Sequence, residues 1–186
     1  MDKFFIIANR QKDKELKTAR KVEAYLNSKG KSCILREETS EQKARSNHYT
    51  DVEKIPKDVE CIIVIGGDGT LLQAARDVVN RQIPLLGINM GTLGYLAEID
   101  RSSIDGALNH LMLDEYTIEK RMMLNGKVYH KEELIAEDVA LNDIVIGRDG
   151  PLHVTRFHNY VNGEFLNSYT ADGIIIATAT GSTGYS

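Results

Sequence analysis

The sequence predicts an α/β domain with a parallel sheet, followed by a smaller β-rich domain. Over the first 100 residues, short apolar runs alternate with segments that repeat apolar residues at helical spacing. Strands separated by helices in this way form parallel sheets that are covered on both faces. After about residue 120, turn dipeptides separate short runs with strand character. We therefore assign residues 1–100 to the α/β domain, 101–120 to a connecting helix and 121–186 to the β-rich domain.

The elements of the first domain follow from local patterns. Four apolar runs predict buried strands at residues 4–8, 32–35, 61–65 and 84–88. Apolar residues spaced along one helical face predict helices at residues 13–29 and 71–80. In the connecting helix, the buried stripe is predicted to consist of Ile104, Ala107, Leu108, Leu111 and Met112. Gly30 ends the first helix, and Ser102 and Asp105 have the spacing of a capping box before the third. The polar residues 37–58 are interpreted as a loop.

The second domain is predicted to consist of hairpins and short strands. Asn125-Gly126 and Asn162-Gly163 favour tight hairpin turns, and each pair lies between runs with strand character. Residues 141–146 and 174–177 are apolar runs that predict two more strands.

Charge and composition argue against several classes of partner. The chain has 23 basic and 27 acidic residues and no basic block, which argues against nucleic acid or an anionic membrane as partner. Its N-terminal apolar stretch is too short for a signal peptide and no segment has the length of a membrane span, so we expect a cytoplasmic protein. Cys33 and Cys61 are interpreted as small buried residues, with a disulfide or a nucleophilic thiol as the alternative. Metal-ligand spacings of Cys and His do not occur, so we expect no metal site built from protein ligands.

The sharpest local signal is the segment Gly66-Gly67-Asp68-Gly69-Thr70, between a predicted buried strand and a predicted helix. Glycines there allow a tight turn and a close approach of the backbone to a ligand, and the unpaired amides of a helix start favour phosphate. A carboxylate in such a turn is unfavourable unless it accepts a proton, holds a hydroxyl or works with a metal ion. The segment is neither a Walker A loop nor a Rossmann fingerprint. On spacing alone, a structural turn in which Asp68 caps the helix stays open.

The same segment resembles the GGDGT signature shared by NAD kinases, diacylglycerol and sphingosine kinases and phosphofructokinases. Other segments resemble NAD kinases in particular and follow in that family's order: residues 84–96 (PLLGINMGTLGYL), 141–146 (LNDIVI), 172–173 (DG) and 180–186 (TGSTGYS). Lipid kinases tend instead to show Leu-Gly-Thr-x-Asn-Asp after the next strand. The resemblance to NAD kinases covers nearly the whole chain.

This chain departs from the family pattern in three places. Ala179 stands where the family commonly has Pro, and Gly184 stands where it commonly has Ala. The sequence ends at Ser186, inside a motif, whereas the family continues through more β structure. We therefore expect an incomplete β-rich domain, and a chain that by itself binds NAD weakly and is inactive or nearly so.

The resemblance implies a role for each motif residue. Asp68 would accept the proton of the ribose 2′-hydroxyl on the adenosine side, and Gly69 would place its backbone against the dinucleotide. Asn142 and Asp143 would hydrogen-bond the adenosine end. Because neighbours on a strand face opposite sides, a strand end or bulge is required at that pair. Further NAD contacts are implied for His153, Asp172, Thr183, Gly184, Tyr185 and Ser186.

Several of these residues also have an ordinary structural interpretation. The pairs 142–143 and 172–173 could simply form turns, His153 could be a strand residue without a ligand, and residues 183–186 could be a flexible tail. Tyr95 is interpreted either as an aromatic that stacks on adenine or as a core residue. Arg121 and Arg148 are interpreted as solvated charges rather than as phosphate contacts.

The resemblance implies the activity of an NAD kinase, in which ATP and NAD give ADP and NADP. A divalent cation, expected to be magnesium, would accompany the ATP phosphates. The protein would be a homo-oligomer with NAD and ATP as substrates. Two alternatives are kept: a lipid kinase that shares the GGDGT signature, and a nucleotide-binding fragment without catalysis.

Overall fold

The chain folds into two units, Met1–Glu119 and Lys120–Ser186, in a computed structural model that describes residues 1–35, 50–91, 94–150 and 154–185. Most of the predicted loop at residues 37–58 lies outside the described residues. Its last part contains a short 3-10 helix at Val52–Lys54.

The first unit contains a parallel sheet of four strands, as predicted. The strands are β1 (Lys3–Ala8), β2 (Ser32–Leu35), β3 (Cys61–Gly66) and β4 (Leu85–Asn89). Their order in the sheet is β2-β1-β3-β4, and all three pairings are parallel. The helices are α1 (Lys17–Ser28), α2 (Asp68–Asp77) and α3 (Ile104–Met112).

Strand β3 is the most deeply packed element, and all of its residues are buried. Its side chains alternate between the two faces of the sheet. Ile63 and Ile65 belong to the apolar cluster that includes the buried residues of α1 and α3, whereas Ile62 and Val64 belong to the cluster that includes those of α2. Full burial of one such side chain contributes about 1.5–3 kcal/mol. The turn after β3 is thus anchored by a strand that is packed on both faces.

Helix α3 packs into the core of the first unit through its buried residues Ile104, Leu108 and Leu111. The predicted capping box at its start is wrong, because the N-cap is Ser103 and its side chain makes no capping hydrogen bond. The carboxylate of Asp100 instead accepts hydrogen bonds from the Ser102 hydroxyl and from the backbone amides of Ser102 and Ser103. These bonds lower the pKa of Asp100.

The second unit contains three two-stranded antiparallel sheets. The pairs are β5 (Leu124–His130) with β6 (Glu133–Ala140), β7 (Asp143–Gly147) with β10 (Gly173–Ala177), and β8 (Thr155–Val161) with β9 (Glu164–Ala171). A short helix, α4 (Ala179–Ser182), follows β10. The predicted α/β domain followed by a β-rich domain is confirmed.

One of the two predicted hairpin turns is correct. Asn162 and Gly163 connect β8 to β9 with positive φ angles of 52° and 86°. Asn125-Gly126 is not a turn, because both residues lie inside β5. The chain turns at Lys131-Glu132, where the φ angles are 47° and 68°. Gly126 has a packing role instead: a Cβ there would lie 2.6 Å from Cδ1 of Ile144 on β7, a strand of another sheet.

The two cysteines behave as the sequence predicted. Cys61 is buried in the first unit's core, Cys33 packs against the same cluster, and both are free thiols. Desolvation raises the pKa of each thiol to about 12. Among the described residues, the helices include none long and apolar enough to cross a membrane.

Candidate functional site

The strand order places a switch point between β1 and β3 in the first unit. From β1 the chain continues to β2 on one side, and from β3 it continues to β4 on the other. The segments after the carboxyl ends of β1 and β3, residues 9–13 and 66–70, therefore meet at this point. Ligands of open α/β sheets bind at such positions.

The Gly66–Thr70 segment forms the turn from β3 into α2. Gly66 ends the strand, Gly67 is an extended N-cap, and Asp68 is the first helical residue. A side chain at position 66 would overlap the side chain of Thr70, so only glycine fits there. No described side chain caps the start of α2, and the first amides of a helix lack intrahelical acceptors. A Cβ on Gly69 would meet open space, so the turn is accessible to an anionic ligand.

The carboxylate of Asp68 is held by backbone amides of the segment after β4. Its Oδ2 accepts a hydrogen bond from the amide of Tyr95 at 2.8 Å, and its Oδ1 accepts from Leu96 at 3.2 Å and Ala97 at 3.0 Å. A side chain at Gly94 would overlap the carboxylate. Asp68 therefore does not cap its own helix, and its orientation is fixed by a segment 27 to 29 residues away in sequence.

Asn89, at the end of β4, braces that segment. Its Oδ1 accepts a hydrogen bond from the amide of Gly91 at 2.8 Å, and its Nδ2 donates to the carbonyl of Ala97 at 3.3 Å. A Cβ on Gly87 would lie 2.9 Å from Cα of Ala97, so glycine lets the segment pack against β4. The interpretation of Tyr95 as a core aromatic is wrong, because its side chain is 55% exposed.

The second unit holds Asn142 and Asp143 at a strand end, which is the position that contact with one shared ligand would require. Strand β7 begins at Asp143, and Asn142 precedes it. Buried Thr178 fastens this point to the start of α4: its amide donates to the Asn142 carbonyl at 2.8 Å, and its hydroxyl donates to the Leu141 carbonyl at 2.6 Å. A side chain at Gly181 would overlap the backbone of Asn142, so α4 packs directly against it. Sequence reasoning did not find Thr178.

The side-chain oxygen of Asn142 is the one buried side-chain polar atom in the described part of the chain that has no hydrogen-bond partner. Buried polar atoms are nearly always paired. An amide oxygen in this state is suited to accept a hydrogen bond from an N–H or O–H group of a ligand.

The remaining predicted residues of the second unit are not all gathered at this point. Thr183 and Gly184 are exposed in the 3-10 turn Thr183–Tyr185 that follows α4. Asp172 precedes β10 at the opposite end of the β7–β10 ladder, about 20 Å from Asn142 along the ladder at 3.4 Å per residue. Its carboxylate pairs with Nε of Arg148 at 3.3 Å, so Arg148 is not simply a solvated charge. His153, Ser186 and the side chain of Tyr185 lie outside the described residues.

The motifs of both units match one known family. Residues 4–116 match the ATP-NAD kinase N-terminal domain, and residues 141–186 match the ATP-NAD kinase C-terminal domain. The chain belongs to the ATP-NAD kinase family. This confirms the resemblance found in the sequence, and it favours NAD kinases over the lipid kinases that share GGDGT.

Relatives within the family are longer than this chain. An NAD kinase of Lachnospira eligens is 48% identical over 186 residues, and one of Lachnoclostridium phytofermentans is 45% identical over 187. Both alignments cover 100% of this chain and 64% of the relative. The chain thus spans just under two thirds of the length of these relatives.

Solved structures of the family have the same fold. Yeast NADH kinase complexed with NADH matches with a TM-score of 0.81 at 25% identity, covering 100% of this chain and 60% of the yeast chain. An NAD kinase from Archaeoglobus fulgidus in complex with ATP matches with a TM-score of 0.66 at 19% identity, covering 98% and 63%.

Proposed function

We propose that this protein transfers the terminal phosphoryl group of ATP to the 2′-hydroxyl of the adenosine ribose of NAD, which gives NADP and ADP. The observation that carries this proposal is the Asp68 carboxylate, held at a phosphate-binding turn in a member of the ATP-NAD kinase family. The names of its relatives, NAD kinases and an NADH kinase, support the choice of acceptor.

In the proposed reaction, the 2′-hydroxyl oxygen attacks the γ-phosphorus of ATP. The new O–P bond forms as the bond from the γ-phosphorus to the β,γ-bridging oxygen breaks, and ADP leaves with that electron pair. Asp68 accepts the hydroxyl proton. A carboxylate offers about four lone-pair positions, and three of them on Asp68 accept backbone amides. The remaining one can accept the substrate hydroxyl with no movement of the side chain.

We assign the dinucleotide contacts of the second unit by the same proposal. Asn142 offers its unpaired buried oxygen to a donor on the adenosine end, next to Asp143. The other proposed NAD contacts are Gly69 of the first unit and His153, Asp172, Thr183, Gly184, Tyr185 and Ser186 of the second. To contact the ligand, the Asp172 carboxylate would either release Arg148 or bind the ligand while still paired with Arg148.

We propose that a divalent cation, expected to be magnesium, reaches the site on the phosphates of ATP. In the parts of the chain that the structure describes, no group of three or more His, Cys, Asp or Glu side chains could hold a metal ion. Mg²⁺ commonly binds through substrate phosphates and water with few protein ligands. When bound it would neutralise charge on the transferring phosphoryl group.

We also infer a cytoplasmic homo-oligomer. The free thiols of Cys33 and Cys61 fit a reducing compartment. The second unit exposes large apolar side chains, among them Val145, Tyr160, Phe165, Tyr169 and Ile175, and an apolar surface of this kind is typical of a protein contact. Light scattering of the purified protein tests the inferred homo-oligomer, and we expect a mass larger than that of one chain.

The function is tested by incubating the full-length protein with ATP, Mg²⁺ and NAD and identifying the product. We expect NADP. An NAD analogue that lacks the adenosine 2′-hydroxyl should bind and remain unphosphorylated, whereas phosphorylation of the analogue would show that the acceptor position is wrong. Binding of NAD without turnover would favour the non-catalytic alternative, and turnover of a lipid alcohol in place of NAD would favour the lipid kinases.

A further inference from the structure

The ammonium of Lys12 lies against the Gly66–Thr70 turn. A Cβ built on Gly67 would be 2.5 Å from Nζ of Lys12, so the absence of a side chain at position 67 makes room for the ammonium. Among the residues that the structure describes, this ammonium makes no ion pair and no hydrogen bond. A cation is therefore placed directly at the N-cap of α2.

The segment that carries Lys12 is fastened to the turn by Asn9. The amide of Asn9 donates to the carbonyl of Ile65 at 2.8 Å, and its side-chain Nδ2 donates to the Thr70 hydroxyl at 3.2 Å. The carbonyl of Asn9 accepts the amide of Lys12 at 3.0 Å. The backbone of Lys12 is thus held in a defined place beside β3 and α2, although its side chain is exposed.

The acidic groups nearest to Lys12 in sequence and at the turn are already engaged. The carboxylate of Asp13 is buried and accepts the amides of Thr18 and Ala19, both at 2.9 Å, at the start of α1. The carboxylate of Asp68 accepts the amides after β4. Neither of these carboxylates forms an ion pair with the Lys12 ammonium, so its N–H donors are available to an anionic ligand.

We propose that Lys12 binds the phosphate oxygens of the donor nucleotide at the Gly66–Thr70 turn. A lysine ammonium has three donors and is a common partner of phosphate, and the amides at the start of α2 complement it. Lys12 forms no covalent bond with the substrate; it holds the anion while Asp68 faces the acceptor hydroxyl. The inference rests on the proposed function for the identity of the donor, but the anion site itself can be tested without turnover.

The test compares Lys12→Met with Lys14→Met in the purified protein. Lys14 is an exposed lysine two residues further along the chain, so its replacement changes net charge equally. Binding of inorganic tripolyphosphate is measured by calorimetry at low ionic strength, where exposed charges are least screened. We expect Lys12→Met to weaken binding about tenfold, as for loss of one charge-assisted hydrogen bond, and Lys14→Met to stay within about twofold. Circular dichroism checks that both variants are folded.

Kinetics provide the second measurement. Lys12→Met should raise KM for ATP by a similar factor and leave KM for NAD unchanged, because the ammonium lies at the donor end of the reaction. Equal weakening of tripolyphosphate binding by the two variants, unchanged binding in Lys12→Met, or no binding by the unaltered protein would overturn the proposal. If the protein lacks kinase activity, the calorimetric comparison still decides whether Lys12 forms an anion site.

Discussion

Replacement of Asp68 by Asn is the most informative perturbation of this site. The substitution keeps the shape of the side chain and removes both its charge and its ability to accept a proton. Loss of a general base lowers kcat by about 10²–10⁴-fold. We therefore expect phosphorylation of NAD by the full-length protein to fall by this factor in a steady-state assay with ATP and Mg²⁺.

The structure adds a cost in stability. If the amide oxygen of Asn takes the place of Oδ1, its bonds to the Leu96 and Ala97 amides weaken from charged to neutral, by about 1 kcal/mol each. The amide nitrogen then faces the donor amide of Tyr95, and one bond is lost. Because Tyr95 is exposed, water can replace part of that bond. We expect the free energy of unfolding of the first unit to fall by about 2–4 kcal/mol, measured by urea unfolding with far-ultraviolet circular dichroism.

Asn89→Ala is the matched control for this effect. It removes two side-chain bonds that brace the same segment, at Gly91 and Ala97, and leaves the carboxylate of Asp68 in place. We expect a similar loss of stability with kcat retained within about tenfold. If Asn89→Ala lowers kcat as much as Asp68→Asn does, displacement of the segment explains both losses. Turnover by Asp68→Asn close to that of the unaltered protein would remove Asp68 from the mechanism.

Two further predictions concern packing and the thiols. Gly94→Ala should destabilise the first unit and lower kcat, because the added methyl group would overlap the Asp68 carboxylate. Gly69→Ala should unfold at the same urea concentration as the unaltered protein, because its methyl group would meet open space. Equal urea midpoints for the two variants would contradict this prediction. Burial raises the pKa of Cys33 and Cys61 from 9.0 to about 12, so a disulfide reagent at pH 8 should label them at least about 100-fold faster in urea than in the folded protein. Because the thiols lose their protons at lower pH in the unfolded chain, the stability that the protonated thiols contribute is complete below about pH 9 and is lost as the pH rises towards 12. The urea midpoint of unfolding should therefore be lower at pH 10.5 than at pH 8. This decrease should be smaller in the double variant Cys33→Ala/Cys61→Ala.

Local signals in the sequence were sufficient for most of the first unit. Ala19, Val22 and Leu26 are buried on α1 as their spacing predicts, and the described strands match the apolar runs to within a residue or two. Leu16 is also buried, but the predicted helix start at residue 13 is wrong, because Leu16 precedes α1 with a φ angle of 54°. These elements follow from periodicity, because burial of one face is a property of a single helix or strand. The turn at Gly66–Thr70 is likewise local, since a strand, glycines and a helix succeed one another directly.

The surroundings of Asp68 could not be predicted in the same way. Its partners at Tyr95 to Ala97 are 27 to 29 residues away, and the bond from Asn9 to Thr70 joins residues 61 apart in sequence. Both contacts depend on which strands are neighbours in the sheet, and no local pattern encodes the order β2-β1-β3-β4. Lys12 was missed for the same reason, because as a sequence it is one exposed lysine among many.

The two Asn-Gly pairs show most directly what the sequence determined and what the tertiary structure decided. Asn162-Gly163 forms the hairpin turn that its dipeptide favours, whereas Asn125-Gly126 continues a strand. The sequence alone determined where glycine occurs, and therefore where the backbone can adopt a positive φ angle or another part of the chain can pack closely against it. For Gly126 the tertiary structure selected close approach, because Ile144 of β7 packs where a Cβ of residue 126 would lie. The physical reason is that glycine permits both outcomes at similar local free energy, so packing against a distant part of the chain selects one.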